Sequence, residues 1–218
     1  MKIIVALDNL NFEKAFAIYV ELASSVDGFK VNHTLFEHTN MFDKYEGEIF
    51  VDCKLWDTPN TVCGAVEKIL EKGATMTTIS TFNNTEVFKD LLQYSEDLKF
   101  LGVTYLTSWS AEEQFEITRE SRSDMWNSHI KRIRKFNFSG IVCSAKDIED
   151  IDEIDKALLR VCPGITFRSS NSGQVRTTSP RWAEDLGADY AIIGRSITKA
   201  NKPLETLKMI KSTLRNTG

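Results

Sequence analysis

The chain has 218 residues, which at roughly 150 residues per domain is one large domain or two small ones. Its 27 Lys and Arg against 31 Asp and Glu leave a formal charge of −4, without the basic excess that nucleic-acid or anionic-membrane binding needs. No apolar run reaches the ~18 residues of a membrane span, and the short run that opens the chain has no small-residue cleavage site.

Short β-branched runs recur along the chain, each followed by an amphipathic stretch. They predict strands at Ile3–Leu7, Gly28–Asn32, Ile49–Cys53, Thr75–Ser80, Phe100–Tyr105, Gly140–Cys143, Leu158–Cys162 and Tyr190–Ile193. Several are apolar throughout, as expected of a parallel sheet covered by helices. Helical patterns lie between them. Phe12–Ala23 carries Phe12, Phe16, Tyr19 and Val20 at helical spacing, and Val62–Leu70 carries Val62, Val66, Ile69 and Leu70. Pro59 and Pro203 fall at helix starts, and Leu204–Leu214 has Leu207, Ile210 and Leu214 on one face. The stretch from Trp109 to Phe138 is the longest excursion and is expected to hold an extra helix. Within it His129, Trp126 and the basic run Lys131–Lys135 read as a solvated helix face.

No linker or low-complexity tract divides these units, so residues 1–218 are expected to form one (β/α)8 TIM barrel domain. A doubly wound open sheet is the alternative, but its Gly-x-Gly-x-x-Gly fingerprint is missing after the first strand.

The four cysteines (Cys53, Cys63, Cys143, Cys162) form no close pair and read as buried, reduced thiols of a cytoplasmic protein. The three histidines, His33, His38 and His129, have no zinc-helix spacing, so no metal site is expected from them.

In a barrel the chemistry belongs where strands end and βα loops begin. Those positions collect Asp8, Lys30, Asp52, Lys54 and Arg195, more charge than a structural rim requires. Asp52-Cys53-Lys54-Leu55-Trp56-Asp57 is the densest element. Strand alternation puts Asp52 and Lys54 on one face, inward if Cys53 packs outward. With Lys30 on the neighbouring strand, acid and base alternate, and opposite charges within about 4–6 Å favour the ionised forms. A lysine held protonated in this way can donate a proton to a developing carbanion. Gly194-Arg195-Ser196 follows the last strand, where barrels often bind phosphate through backbone N–H groups and a guanidinium. The segment Pro163–Thr178, rich in Ser, Asn and Gly, has the composition of a mobile lid.

These residues resemble the orotidine 5′-phosphate decarboxylase family. The likeness runs through Ala6-Leu7-Asp8, Phe29-Lys30-Val31, Asp52-Cys53-Lys54-Leu55-Trp56-Asp57-Thr58-Pro59-Asn60-Thr61 and Val103-Thr104-Tyr105-Leu106-Thr107-Ser108. It continues in Ile141-Val142-Cys143-Ser144, Pro163-Gly164-Ile165, Gln174-Val175-Arg176 and the segment from Gly194 to Ala200. The resemblance implies a homodimeric barrel that decarboxylates orotidine 5′-phosphate to uridine 5′-phosphate without cofactor or metal. By it, Lys30, Asp52, Lys54 and Asp57 form a catalytic charge network, in which Asp52 lies beside the substrate carboxylate and Lys54 protonates the carbon that loses it, while Asp8 binds the ribose. Asp57 and Thr61 reach into the partner's site, and Thr107 and Ser108 meet the pyrimidine edge. Gln174 bridges base and phosphate, Gly194 and Arg195 hold the phosphate beside Pro163, and Thr166 or Arg168 adds a phosphate contact. The chain departs from the pattern at Asn32, Trp56, Thr166 and the end of strand four, Ser80-Thr81-Phe82-Asn83-Asn84. Two other readings share part of the pattern: a metal-dependent sugar-phosphate decarboxylase or aldolase of the same barrel group, and a non-catalytic nucleotide-binding barrel.

Overall fold

The structure is a computed structural model that describes residues 1–167 and 178–215. Eight parallel strands close a barrel in sequence order: β1 (Lys2–Ala6), β2 (Gly28–Val31), β3 (Glu48–Leu55), β4 (Met76–Ser80), β5 (Lys99–Val103), β6 (Gly140–Val142), β7 (Leu159–Cys162) and β8 (Tyr190–Ile193). The helices around them are α1 (Phe12–Leu22), α2 (Pro59–Glu71), α3 (Thr85–Leu91), α4 (Ala111–Thr118), α5 (Arg122–Arg134), α6 (Ile148–Ile154), α7 (Pro180–Asp185), α8 (Arg195–Thr198) and α9 (Pro203–Thr213). Their starts are written in the sequence. Asn11, Asn84, Ser110, Ser121 and Ser179 each accept a hydrogen bond from a backbone N–H of the first turn, and Pro59, Pro180 and Pro203 occupy first-turn positions.

Strand parity separates two cores. Ile3, Val5, Leu7, Phe29, Val31, Ile49 and Val51 point outward beneath the helices. Ile4, Ala6, Phe50, Met76, Leu101, Val161, Tyr190 and Ile192 fill the barrel interior. Both faces of each strand are therefore dry, which is why the runs are apolar without alternation. The inward parity continues past the apolar layer to Asp8, Lys30 and Asp52 at the C-terminal ends.

Three expectations need correction. Phe12, Phe16 and Val20 of α1 face outward, and Ala15, Ile18 and Leu22 make its buried side. Trp126 and His129 are buried rather than solvated: α5 packs Met125, Trp126, His129, Ile130 and Ile133 inward, a helical stripe partly hidden by flanking charges. The cysteines are free, but Cys53 and Cys63 are only half-buried, and the sulfurs of Cys143 and Cys162 meet at 3.9 Å across β6 and β7. Among the described residues no helix is long and apolar enough to cross a membrane.

Candidate active site

A cavity of about 680 Å³ opens at the C-terminal ends of the strands, floored by Ala6, Phe50, Val103, Val142, Val161 and Ile192. Its walls bring together Asp8, Lys30, Asp52, Lys54, Thr107, Ser108, Pro163, Thr166, Gly194 and Arg195. Residues from six strand ends and loops, distant in sequence, thus converge on one space.

One wall is a row of alternating charge. Lys30, buried on β2, donates to Asp8 and lies 3.2 Å from Asp52 Oδ2. Lys54 Nζ donates to Asp52 Oδ1 at 2.8 Å. Burial alone would push the Lys30 ammonium down, but the carboxylates of Asp52 and Asp8 outweigh it and raise it above the ordinary lysine value. For Asp52, burial pushes the carboxyl up, and Lys30 with Lys54 overcomes this and holds it below the usual range. The buried pair at the centre of the row, Lys30 and Asp52, is therefore held in its charged forms. The side chain of Lys54 is 41% exposed, whereas that of Lys30 is 7% exposed. Of the two lysines in the row, Lys54 is the one open to a ligand.

Simple strand alternation does not place Lys54. The β3–β4 register shifts between Val51 and Leu55, and Lys54 has a positive φ of 49°. A left-handed lysine is strained by about 1–2 kcal/mol, so something must hold it. The Lys54 N–H donates to Thr78 Oγ1 at 2.8 Å, and the same hydroxyl donates to Asp52 Oδ1 at 2.9 Å. Thr78 sits fully buried on β4 and clamps both residues. Sequence reasoning missed it; the run of hydroxyls Thr77, Thr78 and Ser80 within a buried strand was the available signal.

Other expected positions fall elsewhere. Asp57 and Thr61 are exposed and do not line the cavity; Thr61 lies in the first turn of α2, 3.0 Å from the Thr58 hydroxyl. Exposed Trp56 and Phe82 flank Asp57 with their rings 6.3 Å apart. Gln174, Arg168, Arg176 and most of the expected lid lie outside the described residues. The ends of that segment are clasped: Thr166 N–H donates to Thr178 O, and Thr178 N–H donates to Gly164 O. At the end of β8, next to β1, Gly194 precedes the short helix α8, and Ser196 Oγ accepts from Phe167 N–H at 3.0 Å. Among the described residues no three His, Cys, Asp or Glu side chains are grouped as a metal would require.

Residues 1–210 match the model of the "Orotidine 5'-phosphate decarboxylase / HUMPS family". An orotidine 5′-phosphate decarboxylase of Wolbachia sp. subsp. Brugia malayi is 32% identical, the match covering 97% of this chain and 98% of the relative. The enzyme of that name from Aquifex aeolicus is 31% identical over 93% of this chain and 94% of its own. Among solved structures, orotidine 5′-phosphate decarboxylase from Lactobacillus acidophilus superposes with a TM-score of 0.82 at 26% identity, covering 98% of this chain and 99% of that one.

Proposed function

Because the chain belongs to the orotidine 5′-phosphate decarboxylase / HUMPS family and is a carboxy-lyase, we propose that it converts orotidine 5′-phosphate to uridine 5′-phosphate and CO2 in pyrimidine biosynthesis. The observation that carries this reading is the row Asp8–Lys30–Asp52–Lys54 on the wall of a cavity that Gly194 and Arg195, at the end of the neighbouring strand β8, also line. A phosphate at Arg195 and the first turn of α8 would anchor the substrate, with Thr166 and Arg168 as further contacts. Asp8 would hold the ribose, Thr107 and Ser108 the pyrimidine edge, and Gln174 would link base and phosphate.

The reacting carboxylate would then lie against Asp52, with Lys54 beside the ring carbon. The bond from that carbon to the carboxylate breaks, CO2 leaves, and the electron pair stays on the carbon. That pair takes a proton from Lys54 Nζ, and the neutral amine is reprotonated from water. No adjacent group delocalises the carbanion, so stabilisation falls to charge fixed before the reaction. The Lys54 ammonium strengthens its interaction only as negative charge develops, which lowers the barrier without equal stabilisation of the bound substrate. Chemistry of this kind uses the chain's own residues and no cofactor.

The active form in this reading is a homodimer in the cytoplasm. Asp57 and Thr61 leave their own cavity free and stand beside exposed Trp56 and Phe82, a patch suited to burial against a second copy. Each would complete the partner's site.

The test is loss of orotidine 5′-phosphate absorbance with purified protein, with and without chelator. Turnover insensitive to chelator is expected; chelator-dependent turnover would favour the metal-dependent sugar-phosphate enzymes, and no turnover a binding barrel. In the same assay, inactive Asp57→Ala and Lys54→Ala proteins should regain activity when mixed, because each heterodimer has one intact site, about a quarter of the wild-type total. Absence of rescue after confirmed subunit exchange would overturn the shared site.

A further inference from the structure

The loop that carries Asp57 is tied to the barrel by a buried amide. Asn83, 1% exposed, lies between β4 and α3. Its Nδ2 donates to Leu55 O at 2.8 Å and to Ser80 O at 3.0 Å, while its Oδ1 accepts from Asp57 N–H at 3.2 Å. The amide therefore bonds the carbonyl before Trp56 and the N–H after it. Both ends of that two-peptide step are pinned to the strand-four loop. Its neighbour Asn84 does something different, capping α3 by accepting from Val87 N–H at 3.0 Å.

Asn83 is itself held from behind. The Arg132 guanidinium donates to Asn83 O and, at 2.9 Å, to Thr81 O, and it lies 4.7 Å over the Phe88 ring. Thr81 Oγ1 is bonded to Val103 O at 3.1 Å and to His129 Nδ1 at 2.6 Å. These contacts fix the main chain of the loop, so the Asn83 side chain has a rigid base from which to hold the next strand's loop. Leu55 and Asp57 are backbone partners, so the amide controls where the loop runs and not what chemistry it carries.

We propose that Asn83 is a positioning residue that sets the Leu55–Asp57 backbone and thereby aims Asp57 into the active site of the partner subunit. The inference rests on the shared-site reading above. It gives Asn83 a role in trans: it serves the site of the other copy, although it lies within a few residues of its own β4.

Mixed dimers test this directly. Asn83→Ala should lower kcat about 10- to 100-fold, the range expected for a misplaced group, with KM and uridine 5′-phosphate affinity little changed. Mixed with Lys54→Ala it should regain about a quarter of wild-type activity, because its own Lys54 then meets Asp57 from a subunit with intact Asn83. Mixed with Asp57→Ala it should gain nothing, because every site then lacks Asp57 or receives a misaimed one. Wild-type kcat in Asn83→Ala, or rescue by Asp57→Ala and not by Lys54→Ala, would overturn the role in trans. The Lys54→Ala and Asp57→Ala pair run alongside separates the two ideas: its failure removes the shared site, and its success with the wrong Asn83 pattern removes only Asn83. If Asn83→Ala does not fold, Arg132→Gln loosens the same loop while leaving the amide, and it should follow the same rescue pattern with a smaller loss.

Discussion

The two ends of the barrel both join carboxylates to lysines, and they differ in what is left over. At the N-terminal end Glu48 takes hydrogen bonds from Thr75 at 2.6 Å, Tyr190 at 2.9 Å, Lys99 at 3.0 Å and Lys2 at 3.4 Å. Both of its oxygens are used, and its partners come from four separate segments of chain, so the cluster ties those segments together. At the C-terminal end Asp8 Oδ1 is buried without a hydrogen-bond partner, and Lys54 faces the cavity with part of its side chain open. A saturated cluster stabilises the fold; an unsaturated one beside a cavity holds its donors and acceptors for a ligand.

The largest effect expected from breaking the contrast is at the open end. Lys54→Ala should lower decarboxylation about 10³-fold or more, the scale of losing a proton donor and a fixed transition-state charge together. Uridine 5′-phosphate should still bind in calorimetry, because Arg195 and Asp8 remain. Thermal stability should move by less than about 1 kcal/mol, since the removed ammonium is partly exposed. Normal turnover would take Lys54 out of the proton-donor role.

The closed end should answer in the opposite currency, stability. Glu48→Gln keeps the shape but removes the charge that Lys99 and Lys2 face, at a cost of about 2 kcal/mol, with kcat of the folded protein unchanged. The effect has a pH signature. Burial would raise the Glu48 carboxyl, but the bonds from Thr75 and Lys99 prevail and lower it from 4.5 to about 2. A folded-state value below the unfolded one stabilises the protein above pH 4.5, and that stabilisation is lost as the pH falls towards 2. The melting difference between wild type and Glu48→Gln should therefore be full near neutrality and shrink between those values. A variant that lost activity without losing stability would erase the distinction between the two ends.

Much of the open end could be read from sequence because it follows strand parity. Asp8, Lys30 and Asp52 continue the inward rows of Ile4-x-Ala6, Gly28 and Phe50, so their convergence follows from the strands themselves. The barrel was legible for the same reason: runs apolar on both faces require helices on one side and a packed interior on the other. What escaped reading depends on irregularity or on backbone contacts between strands. The shift at Val51/Leu55 has no signature in a run of alternating residues, and Thr78 and Asn83 matter through bonds to the neighbouring strand and its loop. The buried face of α5 was legible in principle, at Met125, Trp126, His129, Ile130 and Ile133, but Lys131, Arg132, Arg134 and Lys135 dominate its composition. On α1 the buried side is Ala15, Ile18 and Leu22; of the residues read at helical spacing Tyr19 packs against the core, whereas Phe12, Phe16 and Val20 are exposed.

The smallest and most discriminating change lies within the open end itself. Thr78→Val keeps the β-branched shape on β4 but removes both the acceptor of the Lys54 N–H and the donor to Asp52 Oδ1. An orphaned N–H there costs about 1–3 kcal/mol, close to the strain of the positive φ it restrains, so Lys54 should drift towards ordinary strand geometry. Displacement of the ammonium from the reacting carbon should lower kcat about tenfold with KM nearly constant, and Thr78→Ser should restore it. The serine rescue separates the hydroxyl from the packing: a Thr78→Val protein that melts lower but turns over normally would mean that the Asp52 ion pair is enough to hold Lys54 in place. A kcat loss reversed by serine would show that the open end needs a hydrogen bond to fix its geometry as well as charge to fill it.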